Sequence, residues 1–303
     1  MPVRLLHDVL IGSMRFVPQP VIWQLSRRYI AGTGLDDAYR TVLDLNEGGS
    51  TATVDLLGED SATQEQVEAA ESVYLDALDG ISSSSLKCGV SIKLSDMGLR
   101  FDAALCNRVL RNIVSAAQSK GIFVRIDMED SSATTATLDI YRELRTEFDN
   151  VGTVIQSCLR RSESDIEILM DEGQTNIRLC KGIYIEPEDI SYRDADEIRD
   201  SYKRLLEQLF EGNAQQVAIA THDPELVEHA EDTIRRLNIA KNRYEFQMLL
   251  GVAGPLRREL IGKGHSMRVY VPFGELWLKY SMRRLRENPD MLGHVVRNMF
   301  RSG

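Results

Sequence analysis

The chain has 303 residues, of which 43% are hydrophobic and 27% are charged, as in an ordinary globular protein. Its formal net charge of -10 argues against a nucleic-acid-binding protein, because such a protein needs a basic surface to neutralise phosphates. The four cysteines are far apart and form no CxxC pair, so the sequence predicts neither a disulfide framework nor a metal site.

The first fifty residues predict helices that precede the main repeat. The apolar run at the N-terminus is short and is interrupted by charged residues, which argues against a signal peptide or a membrane span. We expect residues 1–50 to form a helical segment that packs on residues 51–303 and closes the bottom of that domain. The sequence also predicts a cytoplasmic protein, at most peripheral on the inner face of the cell membrane.

Eight short runs rich in apolar and β-branched residues predict the strands of a parallel sheet. Several runs are nearly continuous in apolar residues, which is typical of strands buried on both faces. The runs begin at Thr51, Cys88, Ile122, Val151, Asn176, Gln216, Tyr244 and Met267.

The segments between these runs carry helix start and stop signals. Capping side chains predict helix starts at Ser61, Ser131, Ser162, Asp194 and Asp223. Glycines predict helix ends at Gly80, Gly121, Gly173 and Gly212. The alternation of strands and helices predicts an α/β fold, a closed (β/α)8 barrel of the TIM type. An open doubly wound sheet is the alternative, but no GxGxxG motif follows the first strand.

Polar residues end almost every predicted strand, where a barrel places its active site. They are Glu59, Lys93, Asp127, Gln156, Arg178, Lys181, Thr221, His222, Gln247 and Tyr270. Burial of such groups is costly unless they are paired or bind something, so a salt-bridged rim is the structural alternative to a binding site. Three cations among these residues of an acidic protein favour an anionic ligand.

The last predicted helix carries a second polar cluster. Tyr280, Arg283 or Arg284, and Glu287 are three and four residues apart and therefore share one helical face. A solvated face with an Arg283–Glu287 pair is one interpretation. Because the helix directly follows the eighth strand, we expect its first half at the barrel mouth, where two adjacent guanidinium groups can bind one carboxylate.

The C-terminal motif RVYVPFGELWLKYSMRRLREN resembles the signature of the proline dehydrogenase family. Seven further segments match the family in order: LLGED, SIKLS, RIDME, VIQS, IRLCKGIY, ATHD and YEFQML. The resemblance extends from about Thr51 to Asn288, and the chain length is typical of a monofunctional bacterial member. It implies a distorted (β/α)8 barrel that binds FAD and oxidises L-proline to 1-pyrroline-5-carboxylate. It also implies transfer of the electrons to a membrane quinone; a partner 1-pyrroline-5-carboxylate dehydrogenase is possible.

The resemblance also implies roles for individual residues. Asp127 and Arg178 would be catalytic, and Glu59 would pair with Arg283 as a gate. The substrate would be bound by Lys93, Tyr184, Leu249, Tyr270, Tyr280, Arg283, Arg284 and Glu287. FAD would be bound by Met128, Gln156, Arg178, Cys180, Lys181, Gly182, Ile183, Thr221 and His222.

Two other functions remain open at this point. The first is a Schiff-base aldolase with Lys93 or Lys181 as nucleophile, which would need a lysine with a low pKa. The second is a non-catalytic barrel that binds an amino acid. Borohydride trapping of a lysine adduct would favour the aldolase, and ligand binding without flavin or turnover would favour the binding protein.

Overall fold

Eight parallel strands close into a barrel in sequence order, as the alternation predicts. The computed structural model describes residues 19–58, 60–173, 175–212 and 214–287, with the side chains of residues 19–21, 25 and 283–287 left aside. The strands are β1 (Thr51–Leu56), β2 (Cys88–Ile92), β3 (Val124–Ile126), β4 (Val151–Gln156), β5 (Asn176–Cys180), β6 (Gln216–Ala220), β7 (Tyr244–Leu249) and β8 (Met267–Phe273). The barrel closes where β8 pairs with β1, with Thr51 opposite Arg268 and Leu56 opposite Phe273.

Helices alternate with the strands. In the described residues they are α1 (Gln19–Ser26), α2 (Leu35–Glu47), α3 (Gln64–Ser83), α4 (Ala103–Ser119), α5 (Ser131–Arg145), α6 (Ser162–Asp171), α7 (Ala195–Glu211), α8 (Pro224–Arg236), α9 (Gly254–Gly262) and α10 (Trp277–Glu287). None of these helices is both long and apolar enough to cross a bilayer.

Side-chain caps fix several helix starts, and two of the predicted boundaries are wrong. Ser131 and Ser162 begin α5 and α6 as expected, but Asp130 caps α5 and no side chain caps α6. Asp194 and Asp223 cap α7 and α8 as expected, by accepting backbone N–H bonds. Ser61, in contrast, does not cap α3: Thr63 does, and the Ser61 hydroxyl donates to the Asp96 carbonyl at 2.7 Å. Gly80 lies inside α3, which continues to its C-terminal end at Ser83.

Helix α2, which precedes the first strand, lies in the outer ring of helices. Its buried residues Ala38, Val42 and Leu45 belong to the main core, and the helix packs on β8 and β1. The chain enters this position from the carboxyl ends of the strands, where Ala31 N donates to the Pro272 carbonyl. For the described residues 19–50, the expectation that the segment closes the bottom of the barrel is therefore wrong; residues 1–18 lie outside the described residues.

The final helix α10 is displaced from that ring toward the barrel mouth. It packs on α1, and Tyr280 joins Leu57, at the end of β1, in a small apolar cluster. Since α2 already covers the seam between β8 and β1, α10 is free to cover the carboxyl ends of the strands. This displacement brings the last helix to the side of the barrel where the strand-end residues meet.

The interior of the barrel is charged rather than apolar. TIM barrels usually fill this space with branched apolar side chains in layers. Here, alternate positions along the strands place Arg125, Arg178, Glu245 and Arg268 inside. Arg178 is linked to Glu245 and Arg268 through Gln247, and Arg125 donates to Asn176 on β5. The apolar core lies instead between the outer face of the sheet and the helices.

Candidate functional site

A cavity of about 1220 Å³ opens at the carboxyl ends of the strands. It is larger than most small-molecule pockets, which enclose about 300–1,000 Å³. Fifteen of the residues predicted for the site line it: Lys93, Asp127, Met128, Gln156, Arg178, Cys180, Lys181, Gly182, Ile183, Tyr184, Thr221, His222, Leu249, Tyr270 and Tyr280. The structure therefore brings together residues that are spread over nearly 190 positions of sequence.

Four predicted residues lie outside this description. Glu59, the predicted gate, is outside the described residues, and so are the side chains of Arg283, Arg284 and Glu287. All three belong to α10, on which Tyr280 is buried at the cavity wall.

Asp127 is at the centre of the ionic cluster on the cavity floor. Arg178 Nη1 donates to Asp127 Oδ1 at 2.6 Å, and Tyr270 Oη donates to Asp127 Oδ2 at 2.7 Å. Ser91 Oγ also donates to Oδ1, at 2.7 Å. Burial alone would raise the pKa of Asp127, but Arg178 and Lys93 outweigh it and lower the pKa. Asp127 is thus an ionised carboxylate with both oxygens engaged.

Lys93 is held beside this cluster by a second carboxylate. Its ammonium donates to Asp55, which is almost fully buried on β1, and lies 3.4 Å from Tyr270 Oη and 4.0 Å from Asp127 Oδ2. Burial would lower the pKa of Lys93, but Asp55 and Asp127 raise it above its ordinary value. Lys93 therefore remains a cation at neutral pH, suited to binding an anion.

Tyr270 remains a neutral hydrogen-bond donor. Burial and the adjacent Asp127 carboxylate raise its pKa well above the ordinary value. Its ring also lies under the Arg178 guanidinium, with 5.4 Å between the ring centroid and Cζ. The Tyr270 phenol and the Arg178 guanidinium thus lie side by side in the cavity lining.

The cavity lining includes two further cations. Lys181 and Arg199 both bind Asp223, whose carboxylate also caps α8. Burial opposes ionisation of Asp223, but hydrogen bonds from Lys181 and Arg199 lower its pKa. The N-terminus of α8 points into this part of the cavity, and such a terminus is favourable for an anion.

The remaining predicted cofactor residues are fixed by local contacts. His222 Nε2 accepts from the Leu249 backbone N–H at 2.8 Å, so that nitrogen carries no proton. Gln156 Nε2 donates to the Glu129 carbonyl at 2.7 Å. Gly182 has a φ of +95°, and a Cβ there would lie 2.3 Å from Cys158 Sγ, so this position requires glycine.

Sequence reasoning missed several residues that support this site. Glu129 accepts from the Ser95 amide at 2.9 Å and thereby fixes the loop after β2, and Asp55 fixes Lys93. Both are acidic residues inside or next to a predicted strand, a signal that could have identified them. Arg199, on α7, carries no such signal, because only the fold brings it to Asp223.

Asp96 is a buried carboxyl group at the same cavity. Its side chain packs against Gly58, and within the described part of the chain no hydrogen-bond partner satisfies Oδ2. Burial, reinforced by Asp55 and Glu129, raises its pKa to about 8, although Lys93 opposes the shift. The group is therefore largely protonated at neutral pH.

These features fit a flavin together with a small zwitterion. The lining of this one cavity includes the Lys93–Asp127–Arg178 cluster, the cations near α8, and apolar residues such as Met128 and Leu249. A dinucleotide needs this combination of an apolar surface for its ring and a polar site for its phosphates.

Comparison with known proteins agrees with this chemistry. The sequence profile of a family described as "Proline dehydrogenase" matches residues 38–297. The chain is similar to Proline dehydrogenase 1 of Bacillus subtilis, with 35% identity over 277 residues, 91% of this chain and 91% of that protein. It is also similar to the proline dehydrogenase of Deinococcus radiodurans, with 36% identity over 290 residues, 92% of this chain and 91% of that one.

Larger proteins match over part of their length. The bifunctional protein PutA of Escherichia coli is 28% identical over 311 residues, which cover 87% of this chain but 23% of PutA. Among solved structures, the chain resembles proline utilization A from Bdellovibrio bacteriovorus inactivated by N-propargylglycine. The TM-score is 0.83 and the identity 26%, and the match covers 88% of this chain and 33% of that one.

Proposed function

The chain belongs to the proline dehydrogenase family, and we propose that it oxidises L-proline to 1-pyrroline-5-carboxylate with FAD as the hydride acceptor. The observation that carries this proposal is the cluster of Lys93, Asp127, Arg178 and Tyr270 on the floor of a cavity large enough for a dinucleotide. Family membership supports the reaction, and the cluster supplies groups suited to it.

The cations of the cluster are suited to holding the substrate carboxylate. Lys93 remains charged, and its position is fixed by Asp55. By the family resemblance, Arg283 and Arg284 on α10 would complete the carboxylate site, with Glu287 beside them and Glu59 pairing with Arg283 as a gate. Tyr270, Tyr280, Tyr184 and Leu249 line the cavity and would enclose the proline ring.

Orientation is the main contribution of these residues to the rate. Oxidation of the secondary amine removes a hydride from C5 and a proton from the ring nitrogen, and the flavin supplies the hydride acceptor. Asp127 holds both Arg178 and Tyr270, so these two groups keep a fixed geometry around the substrate. A site held in this way requires little rearrangement during the reaction.

The cofactor residues are proposed on the same basis. Arg178 would lie near the reactive edge of the flavin, where a cation stabilises added negative charge. Met128, Gln156, Cys180, Gly182 and Ile183 would contact the ring system, and Lys181, Thr221 and His222 would contact the phosphate and adenosine portions. All of these residues line the cavity.

Anaerobic titration with L-proline tests the reaction. We expect the purified protein to show the visible absorbance of FAD, to lose it on addition of L-proline, and to release a product that reacts as a cyclic imine. A protein that binds flavin but remains oxidised with L-proline while other amines reduce it would contradict the substrate. A protein that binds proline without flavin would instead be the non-catalytic binding barrel.

The aldolase alternative is opposed by the electrostatics of Lys93. A Schiff-base lysine must lose its proton near neutral pH, but Asp55 and Asp127 raise the pKa of Lys93. The second candidate, Lys181, is bound to Asp223. We expect borohydride to trap no substrate adduct on either lysine.

A membrane quinone is the proposed electron acceptor, and a separate 1-pyrroline-5-carboxylate dehydrogenase is the proposed consumer of the product. The similarity to the bifunctional PutA supports the second point. If reduced enzyme is reoxidised by a water-soluble quinone much faster than by oxygen, the first point holds; equal rates would contradict it.

A further inference from the structure

A chain of hydrogen bonds continues from the cavity floor into the barrel. Arg178 Nε donates to Gln247 Oε1 at 2.6 Å, and Gln247 Nε2 donates to Glu245 Oε1 at 2.5 Å. The same carboxylate oxygen accepts from Arg268 Nε at 2.7 Å. The chain therefore joins Arg178, at the cavity, to an ion pair deeper in the barrel.

The strand geometry makes this connection rigid. Glu245 and Gln247 are two residues apart on β7, so both side chains point to the same face of the sheet. Arg268 lies on the neighbouring strand, with its Cα paired to that of Gln247. Gln247 is 6% exposed, and the Glu245 side chain is 13% exposed. The Arg268 side chain is 19% exposed, so the contacts next to Arg178 are better shielded from water than the ion pair.

Glu245 determines which way the Gln247 amide faces. An ionised carboxylate can only accept hydrogen bonds, so the amide NH2 must face Glu245 and the amide oxygen must face Arg178. Burial opposes the charge on Glu245, but Arg268, with a further contribution from Arg125, keeps its pKa below the ordinary value. The carboxylate remains ionised, and the amide has one orientation.

The amide in turn fixes the Arg178 guanidinium. Gln247 binds Nε and Asp127 binds Nη1, so two edges of a planar group are held by partners on different strands. If the amide turned over, its NH2 would face the guanidinium, and two donors would oppose each other. Arg178 would then have to move away from Asp127 or from Gln247.

We propose that Glu245 is a positioning residue that holds Arg178 in its working orientation through the Gln247 amide. The proposal rests on the proposed function, in which Arg178 lies beside the flavin. The competing account is a structural ion pair, in which Glu245 and Arg268 stabilise the barrel and have no directed effect on Arg178.

Two matched variants separate these accounts. Glu245→Gln and Arg268→Gln each remove the same ion pair and introduce the same residue type. Only Glu245→Gln replaces the acceptor-only carboxylate with an amide whose NH2 can also face Gln247, because in Arg268→Gln the nearby Arg125 still favours an ionised Glu245. A structural ion pair predicts equal effects of the two variants on the position of Arg178, whereas a positioning role predicts that Arg178 moves in Glu245→Gln alone.

The first readout does not depend on flavin. In protein labelled with 15N-arginine, the Nε–H signal of Arg178, assigned with Arg178→Lys, reports its bond to Gln247. We expect this signal to shift or broaden in Glu245→Gln and to stay in place in Arg268→Gln. An unchanged signal in Glu245→Gln, or equal changes in both variants, would overturn the proposal even if the chain proved not to bind flavin.

The second readout is the midpoint potential of the bound flavin, for which the two accounts predict opposite signs. Loss of an anion from the interior by itself raises the potential, since reduction adds negative charge. Displacement of the Arg178 cation lowers it. We expect a lower potential in Glu245→Gln, together with a fall in kcat of about ten- to hundredfold and a smaller change in KM for proline. A raised potential contradicts the proposal.

A third variant covers the case in which Glu245→Gln does not fold. Glu245→Asp keeps the charge opposite Arg268 but shortens the side chain by one methylene, so its contact with Gln247 is weakened. We expect the same direction of change in the Arg178 signal and in the potential, at smaller size. Wild-type values for both would overturn the proposal.

Discussion

The two faces of the barrel strands differ in their chemistry. On the outer face, side chains such as Val54, Phe246 and Val269 are fully buried against the helices. On the inner face, Arg178 is buried and the Glu245 side chain is 13% exposed, and the two are linked by hydrogen bonds through Gln247. The outer face therefore provides the apolar burial that stabilises the fold, and the inner face holds charged groups in the geometry that the proposed reaction needs.

The largest expected effect on stability and turnover comes from removing a charged side chain of the inner face. Arg178→Met would leave Asp127 as a buried carboxylate without its main countercharge, at a cost of about 3–5 kcal/mol in the free energy of unfolding. We also expect proline turnover to fall by about a hundredfold or more, since a preorganised charge is lost. Urea denaturation and anaerobic flavin reduction measure the two effects. An enzyme with wild-type turnover would contradict the role of the inner face.

A cavity in the apolar layer between the outer face and the helices should reduce stability without affecting the chemistry. Leu110→Ala removes a fully buried side chain from α4 and should lower the free energy of unfolding by about 2–5 kcal/mol. The kcat for proline should stay within about twofold of wild type at temperatures where the variant is folded. A large loss of kcat in the folded variant would show that the two faces are not separate in function.

Asp96 is a buried carboxyl group at the cavity, and its Oδ2 has no hydrogen-bond partner among the described residues. Burial raises its pKa to about 8 in the folded protein, whereas in the unfolded chain it lies near 3.8. Between these values the folded state binds the extra proton, so stability falls as the pH rises from about 4 to about 8.

Asp96→Asn tests this sign. The uncharged amide should stabilise the protein relative to wild type at pH 8 and much less at pH 4, by about 1.4 kcal/mol for each pKa unit of elevation. Thermal unfolding at both pH values, with Asp60→Asn as an exposed carboxylate for control, measures the difference. A variant that is less stable at pH 8 than at pH 4, relative to wild type, would contradict the assignment.

The smallest effect should come from ion pairs outside the barrel. Arg111 binds Glu147 on the surface, where the side chains are 36% and 52% exposed. Arg111→Met should change the free energy of unfolding by less than about 1 kcal/mol, because water screens the pair. Urea denaturation beside Arg178→Met measures the contrast. Equal losses of unfolding free energy in Arg111→Met and Arg178→Met would show that burial does not determine how much an ion pair stabilises this protein.

Much of the fold could be predicted from the sequence, because the strand and helix patterns are local. The apolar runs at Thr51 and Tyr244 begin the observed β1 and β7, and the cap at Asp223 begins α8. The place of α2 could not be predicted, since a helical pattern shows which side is apolar but not which strands it will cover. Ser61 and Thr63 are equally good caps in sequence; in the fold Thr63 accepts from the Gln66 N–H, while the Ser61 hydroxyl donates to the Asp96 carbonyl.

Polar site residues could be predicted where they follow the end of a strand. Those that lie within a strand could not be predicted. Lys93 and Asp127 stand out after apolar runs, and both line the cavity. Glu245 and Arg268 lie inside runs that resemble strands buried on both faces, and their pairing depends on the register of β7 and β8. No local pattern shows that register, so the ionic interior becomes visible only in the folded barrel.

The most direct test of the account is a crystal structure of the flavin-loaded protein soaked with L-proline in the absence of oxygen. We expect the flavin ring to lie in the cavity beside Arg178 and a ligand carboxylate to contact Lys93. Flavin bound away from this cavity, or an ordered ligand that does not contact the Lys93–Asp127–Arg178 cluster, would contradict it.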